Sequence, residues 1–244
     1  MQIEAIAVRL RARSNMEAAD LGVRLCQACA RSVYGSYLAV AIPVVALTLA
    51  SFGFADWLPA MALWLAKPWL DRTILFALSR AAFGQPTRPI DVWEAQREVW
   101  WSQMLLTLLW RRLSPWRSFT QPVYQLEGLR GEARRKRVAQ VRRGHGGSGA
   151  LVATIFGLAE LILMGSLLSL IYLLSPRGYE PDLSQLFFGN ATAMTSFSLQ
   201  ASYALVVLFL EPFFVAAGFG LYLNRRAELE AWDIEQEFRR AFAV

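Results

Sequence analysis

Five ionisable residues stand inside stretches that are otherwise apolar: Lys67, Asp71, Arg72, Glu160 and Glu211. Within hydrocarbon a charge is costly, so such residues are expected to face inward and to pair with one another. Their types admit two kinds of chemistry. Carboxylates beside a lysine in a dry interior can carry a proton, an ion or a lipid head group, which makes a small transporter or channel using Lys67, Glu160 and Glu211 one reading. The same residues can instead act as polar glue that fixes helix register and recruits a charged partner helix. The chain shows no pair of interrupted helices in matching halves, the mark of many transporters, and this favours glue. Lys67 and Asp71 are also spaced to pair within one helix. Pro212 lacks an N–H and frees the backbone carbonyl near position 208, close to Glu211.

Other chemistry lacks its parts. Cys26 and Cys29 form a C-x-x-C pair, but a structural zinc site needs four ligands and His145 is the sole histidine. The pair reads as two small residues on one helix face, with palmitoylation a weaker alternative. A metal site would have to be built from Glu160, Glu211 and Asp71 alone, so neither metal nor cofactor is expected. There is no H-E-x-x-H, no G-x-S-x-G and no histidine placed to serve a serine nucleophile, so no enzyme is expected. The Gly144–Gly149 run lacks the G-K-[ST] of a phosphate loop and reads as a flexible hinge.

The elements that must position the five charges are helices. Of the 244 residues 55% are apolar, above the roughly 45–50% of a soluble domain. The pattern predicts an all-α, polytopic membrane bundle in a single membrane domain (1–244), with about four spans and interfacial amphipathic helices. Residues 14–32 form an amphipathic helix opened by the capping box Ser14-Asn15-Met16-Glu17, lying on the inner membrane surface or on the protein's own cytoplasmic face. The first span is 33–54, with a kink at Pro43, and the second is 57–80, interrupted by charge. Residues 92–113 read as one helix whose apolar part, Trp100 to Trp110, is too short to cross and is interfacial or re-entrant. A basic cytoplasmic loop covers 111–149, the third span 150–174, the fourth 196–223, and a cytoplasmic amphipathic helix 225–242. At ~1.5 Å rise per residue, Lys67, Glu160 and Glu211 fall at similar mid-membrane depth. Asn190-Ala191-Thr192 fits a glycosylation sequon, a pattern common by chance. No cleavable signal peptide is expected, because charges break up the first 32 residues.

The net charge of +6 is uneven. Residues 111–148 hold Arg111, Arg112, Arg117, Arg130, Arg134, Arg135, Lys136, Arg137, Arg142 and Arg143 against only Glu127 and Glu132. This places the segment in the cytoplasm by the positive-inside rule and against anionic inner-leaflet lipids as a membrane-surface patch. Nucleic acid is not an expected partner, since few aromatics are interleaved.

Several stretches carry a resemblance. They are Arg13-Ser14-Asn15-Met16-Glu17-Ala18-Ala19-Asp20-Leu21-Gly22; Lys67-Pro68-Trp69-Leu70-Asp71-Arg72 with Leu78-Ser79-Arg80-Ala81-Ala82-Phe83-Gly84; Trp110-Arg111-Arg112-Leu113-Ser114-Pro115 through Gln125-Leu126-Glu127-Gly128-Leu129; and Glu211-Pro212-Phe213 leading to Tyr222-Leu223-Asn224-Arg225-Arg226. Together they resemble bacterial inner-membrane proteins encoded beside MoxR-type AAA+ ATPases and transglutaminase-like membrane proteins. The closing stretch is also similar to the membrane domain of some glycerophosphodiester phosphodiesterases. The spans and the basic segment already place both termini of this multi-pass chain in the cytoplasm; the resemblance implies a bacterial cytoplasmic membrane and a multi-protein system. It also implies a protein partner, a membrane protein or AAA+ ATPase, and no enzymatic residue. The expectation is a non-enzymatic scaffold or assembly component, with the transporter as the alternative.

Overall fold

The computed structural model describes residues 13–101, 114–175 and 192–230. Every regular element among them is helical: α1 (Asn15–Ala28), α2 (Ala30–Ala50), α3 (Leu58–Ala82), α4 (Pro89–Glu94), α5 (Arg117–Gln125), α6 (Gly131–Arg142), α7 (Gly146–Leu174) and α8 (Ala193–Glu230). Three helical stretches are long and apolar enough to cross a membrane: Ala30–Gly53, Gly146–Leu174 and Ala193–Glu230. That fits a membrane-embedded protein. At 25 residues α3 has the length as well, but Lys67, Asp71, Arg72 and Arg80 keep it out of that class.

The Ser14 hydroxyl accepts from the Glu17 N–H and opens α1, as a capping serine does. Instead of running on to residue 32, the helix breaks at Cys29, and Ala30 starts α2. The face of α1 that turns inward is Ala18, Ala19, Gly22 and Cys26. It packs on the C-terminal half of α8 with almost no space between backbones. A Cβ on Gly22 would overlap the Ala216 carbonyl, and one on Gly220 would overlap that of Ala18. Small residues on both helices permit that approach. Cys26 is fully buried there, and burial, aided by neighbouring Cys29, pushes its thiol up to about 12. It is a packing residue rather than a nucleophile.

Helices α2 and α3 form a hairpin through a 3-10 turn at Ser51–Gly53, with Pro59 in the first turn of α3. Along the core, Val33, Tyr37, Leu70, Ile74 and Val215 are wholly buried. Pro212 interrupts the backbone ladder of α8. The carbonyls on either side of position 208 accept from α2: Tyr37 Oη donates to Val207 O at 3.3 Å and Tyr34 Oη to Phe209 O at 2.6 Å.

Two connections differ from the expected pattern. Residues 92–101 are not the start of one regular helix: α4 ends at Glu94 and a π turn covers Arg97–Trp101. Trp100 is anchored there by donating to Thr73 Oγ1 at 3.0 Å. The glycine run is no hinge. Gly144 makes the turn with φ +79, and from Gly146 the chain is α7. Gly149 lies against Phe119 and Trp116, where a Cβ would be crowded. Helix α8 also continues through Asn224-Arg225-Arg226 without the expected break. The apolar part of 102–113, the sequon loop within 176–191 and the tail beyond Glu230 lie outside the described residues.

Candidate functional site

The hairpin, α5, α7 and α8 converge on one buried constellation. From α3, Lys67 Nζ lies 2.8 Å from Glu160 Oε2 on α7 and 2.9 Å from Glu211 Oε2 on α8. Glu211 Oε1 accepts from Arg117 Nη2 of α5, whose Nε lies 3.0 Å from Asp71 Oδ2 back on α3. The order Glu160–Lys67–Glu211–Arg117–Asp71 is a chain of alternating charge across four helices. Each cation touches two carboxylates, and Glu211 touches two cations. The Arg117 guanidinium also lies over the Phe214 ring, and the Lys67 ammonium stands 5.9 Å from the Tyr203 ring centroid.

Burial is strong but uneven. The side chain of Asp71 is fully buried and that of Glu211 is 4% exposed, whereas Glu160 is 24% exposed at the open end of the chain. Glu160 opens into a hollow of about 440 Å³ shared with Trp64, Met164, Gln200 and Tyr203. Gln200 donates to Asp56 O at 2.8 Å, and its Oε1 is buried with no hydrogen-bond partner. Arg72 is 1% exposed, and its carbonyl accepts from Gln125 Nε2 at 2.6 Å.

Among the described residues, no group of three or more His, Cys, Asp or Glu is arranged to hold a metal ion. The three carboxylates face Lys67 and Arg117 instead. No protein-family profile matches the chain, and no curated protein or solved structure is similar to it.

The basic segment divides in a way its composition hides. Arg117 is not part of a surface patch; it belongs to the buried chain. Around it Ser118, Phe119, Gln121 and Tyr124 are buried, and Ser118 fills the space beside Gly218 of α8. The available signal was the apolar face of Phe119, Val123 and Tyr124 following the arginine directly. Arg142 stacks on Trp116, its guanidinium carbon 3.3 Å from the ring centroid. Arg137 reaches Glu127 at 2.9 Å and Glu230 at 2.6 Å, and Tyr222 Oη donates to the same Glu127 at 2.6 Å. Arg226 closes this second network on Glu230 at 2.7 Å. Hydrogen bonding to Glu127 raises Arg137 above its ordinary value. Burial alone would raise Glu230, but hydrogen bonds from Arg226 and Arg137 outweigh it and hold that carboxyl below its ordinary value. Arg130, Arg135, Lys136 and Arg143 are exposed, and Arg134 is half-buried. Arg111 and Arg112 lie outside the described residues.

Proposed function

We propose that this chain is a non-enzymatic scaffold or assembly component in a bacterial cytoplasmic membrane, crossing four times with both termini in the cytoplasm. The observation that carries the reading is that Lys67 and Arg117 are engaged with Asp71, Glu160 and Glu211. A charge chain of this kind ties α3, α5, α7 and α8 together. For the second crossing, the support is that Lys67 and Asp71 of α3 have buried partners of opposite sign. Apart from these two and from Arg72 and Arg80, most of its residues are apolar, and ~1.5 Å per residue makes it long enough. For the orientation, the support is that exposed Arg130, Arg135, Lys136 and Arg143 all fall between α3 and α7. The same cations, beside anionic inner-leaflet lipid, offer a docking face for a protein partner. The resemblance adds an AAA+ ATPase or a second membrane protein as the kind of partner.

Affinity purification of the tagged chain from native membranes in mild detergent tests this. A stoichiometric ATPase or membrane protein is expected, and it should persist in Glu160→Gln and Glu211→Gln variants that still fold. A chain that emerges alone after crosslinking sinks the scaffold.

One observation favours a second reading, the transporter. Glu160, at the end of the charge chain, opens into the hollow beside Gln200 and Tyr203. A proton-coupled transporter should lose flux in Glu160→Gln while keeping its fold.

A further inference from the structure

At the other end of the α2–α3 hairpin from its turn, a second hollow of about 520 Å³ lies between the start of α2 and the loop that follows α3. Arg31, Ser32 and Gly35 line it from α2, and Thr87 and Arg88 from the loop. The loop is fastened in place. Thr87 N donates to Ser32 Oγ at 2.7 Å, and the Ser32 and Ser36 hydroxyls donate to Thr87 O at 3.0 and 3.2 Å.

Three features of this hollow lack an internal explanation. Thr87 is 4% exposed, yet its Oγ1 is buried with no hydrogen-bond partner. Arg31 and Arg88 are exposed on the rim, and neither side chain forms an ion pair among the described residues. The neighbouring carboxylate, Asp91, accepts from the Arg88 backbone N–H at 2.9 Å and faces Arg80 at 3.7 Å. Gly35 sits in mid-helix, where glycine is costly relative to alanine, although a Cβ there would meet nothing within 4 Å. Its effect is to keep the hollow open.

The level of the hollow is marked by α4 beside it, which exposes Ile90 (53%) and Trp93 (59%). An exposed tryptophan next to apolar spans belongs to the lipid–water boundary. Guanidinium forks match phosphate oxygens in shape and charge, and a hydroxyl donor completes the set.

We propose that this hollow binds the head-group phosphate of an anionic phospholipid, with Arg31 and Arg88 on the phosphate oxygens, Thr87 donating, and the glycerol end against Gly35.

The test uses the full chain in phosphatidylcholine nanodiscs doped with phosphatidylglycerol, with retained lipids counted by native mass spectrometry. The wild-type chain should retain phosphatidylglycerol about fivefold over its share of the bilayer. R31A/R88A should abolish that preference, and so should G35L, which fills the hollow with both arginines intact. R97A, at an exposed arginine outside both the hollow and the basic segment, should leave it unchanged. If R31A/R88A does not fold, G35L alone decides. Retained preference in G35L, or its loss in R97A, overturns the site. Binding of added inorganic phosphate without lipid retention overturns the lipid assignment in favour of a soluble phosphate.

Discussion

Arg117 Nη2 donates directly to Glu211 Oε1, joining residues 94 positions apart in the chain. The arginine comes from a nine-residue helix in the basic segment, and the glutamate from the middle of the longest apolar helix. Through this contact the connecting segment is part of the interior. Arg117→Ala would leave buried Asp71 without the cation it faces and Glu211 with Lys67 alone. Breaking a buried pair this way costs about 3–5 kcal/mol. Thermal unfolding in detergent should show a large fall for Arg117→Ala and a smaller one for Arg117→Lys, which keeps the charge but not the fork. Equal stability of Arg117→Ala and wild type would remove the charge chain as a determinant of the fold.

Lys67 and Glu160 form the exposed end of the same chain. Lys67→Met should be severely destabilising, because it strips one cation from two carboxylates. Adding Glu160→Gln to Lys67→Met should recover part of the loss. A double-mutant cycle measures this, and coupling near zero would mean that the 2.8 Å contact contributes nothing.

The sequence placed some of this site and hid the rest for a physical reason. A helix has a fixed rise, so counting residues from the span ends put Lys67, Glu160 and Glu211 at one depth. Arg117 escaped that count because it lies outside any long apolar run, among arginines that do face water. Charge composition averages over neighbours, whereas burial is decided residue by residue. The break expected after residue 32 falls at Cys29 instead, where no proline or glycine stands to mark it. Of the helices expected to cross, 33–54, 150–174 and 196–223 coincide with apolar helices. The span 57–80 is helical, but its charges obscure the hydropathy signal.

Gly22 and Gly220 hold α1 against α8 by lacking side chains. Gly22→Leu or Gly220→Leu should force the helices apart, at about 1–3 kcal/mol for overpacking. Limited proteolysis should then cut near Cys29 faster than in wild type, whereas Gly35→Ala, which meets open space, should leave the rate unchanged.

The two cysteines should differ in reactivity. Cys26 is buried with its thiol pushed up to about 12, while Cys29 is partly accessible. Maleimide at mildly alkaline pH should label Cys29 alone in the folded protein. Equal labelling of both would contradict the packing of α1.

Glu230 gives a pH dependence with a defined sign. Its folded value lies below the ordinary carboxylate value of 4.5. Its contribution is therefore fully present above that value and is lost as pH falls through the lower folded value. Hydrogen exchange across residues 131–142 should stay constant from neutral pH down to the ordinary carboxylate range, after correction for intrinsic rates. Below it, protection should fall as Arg137 loses one of its two carboxylate partners. In Glu230→Gln the protection should already be reduced at neutral pH.

The alternating charge chain also bears on how the protein is made. On the four-span reading, Lys67 and Asp71 enter the bilayer long before the ribosome reaches Glu211. Until that last helix is threaded, the nascent chain carries charges whose lasting partners do not yet exist. The second helix must therefore linger at the insertion machinery or shelter against a chaperone. A polypeptide stalled before Glu160 is left with Lys67 lacking both of its carboxylates in lipid, a mark by which membrane proteases can single out unfinished copies.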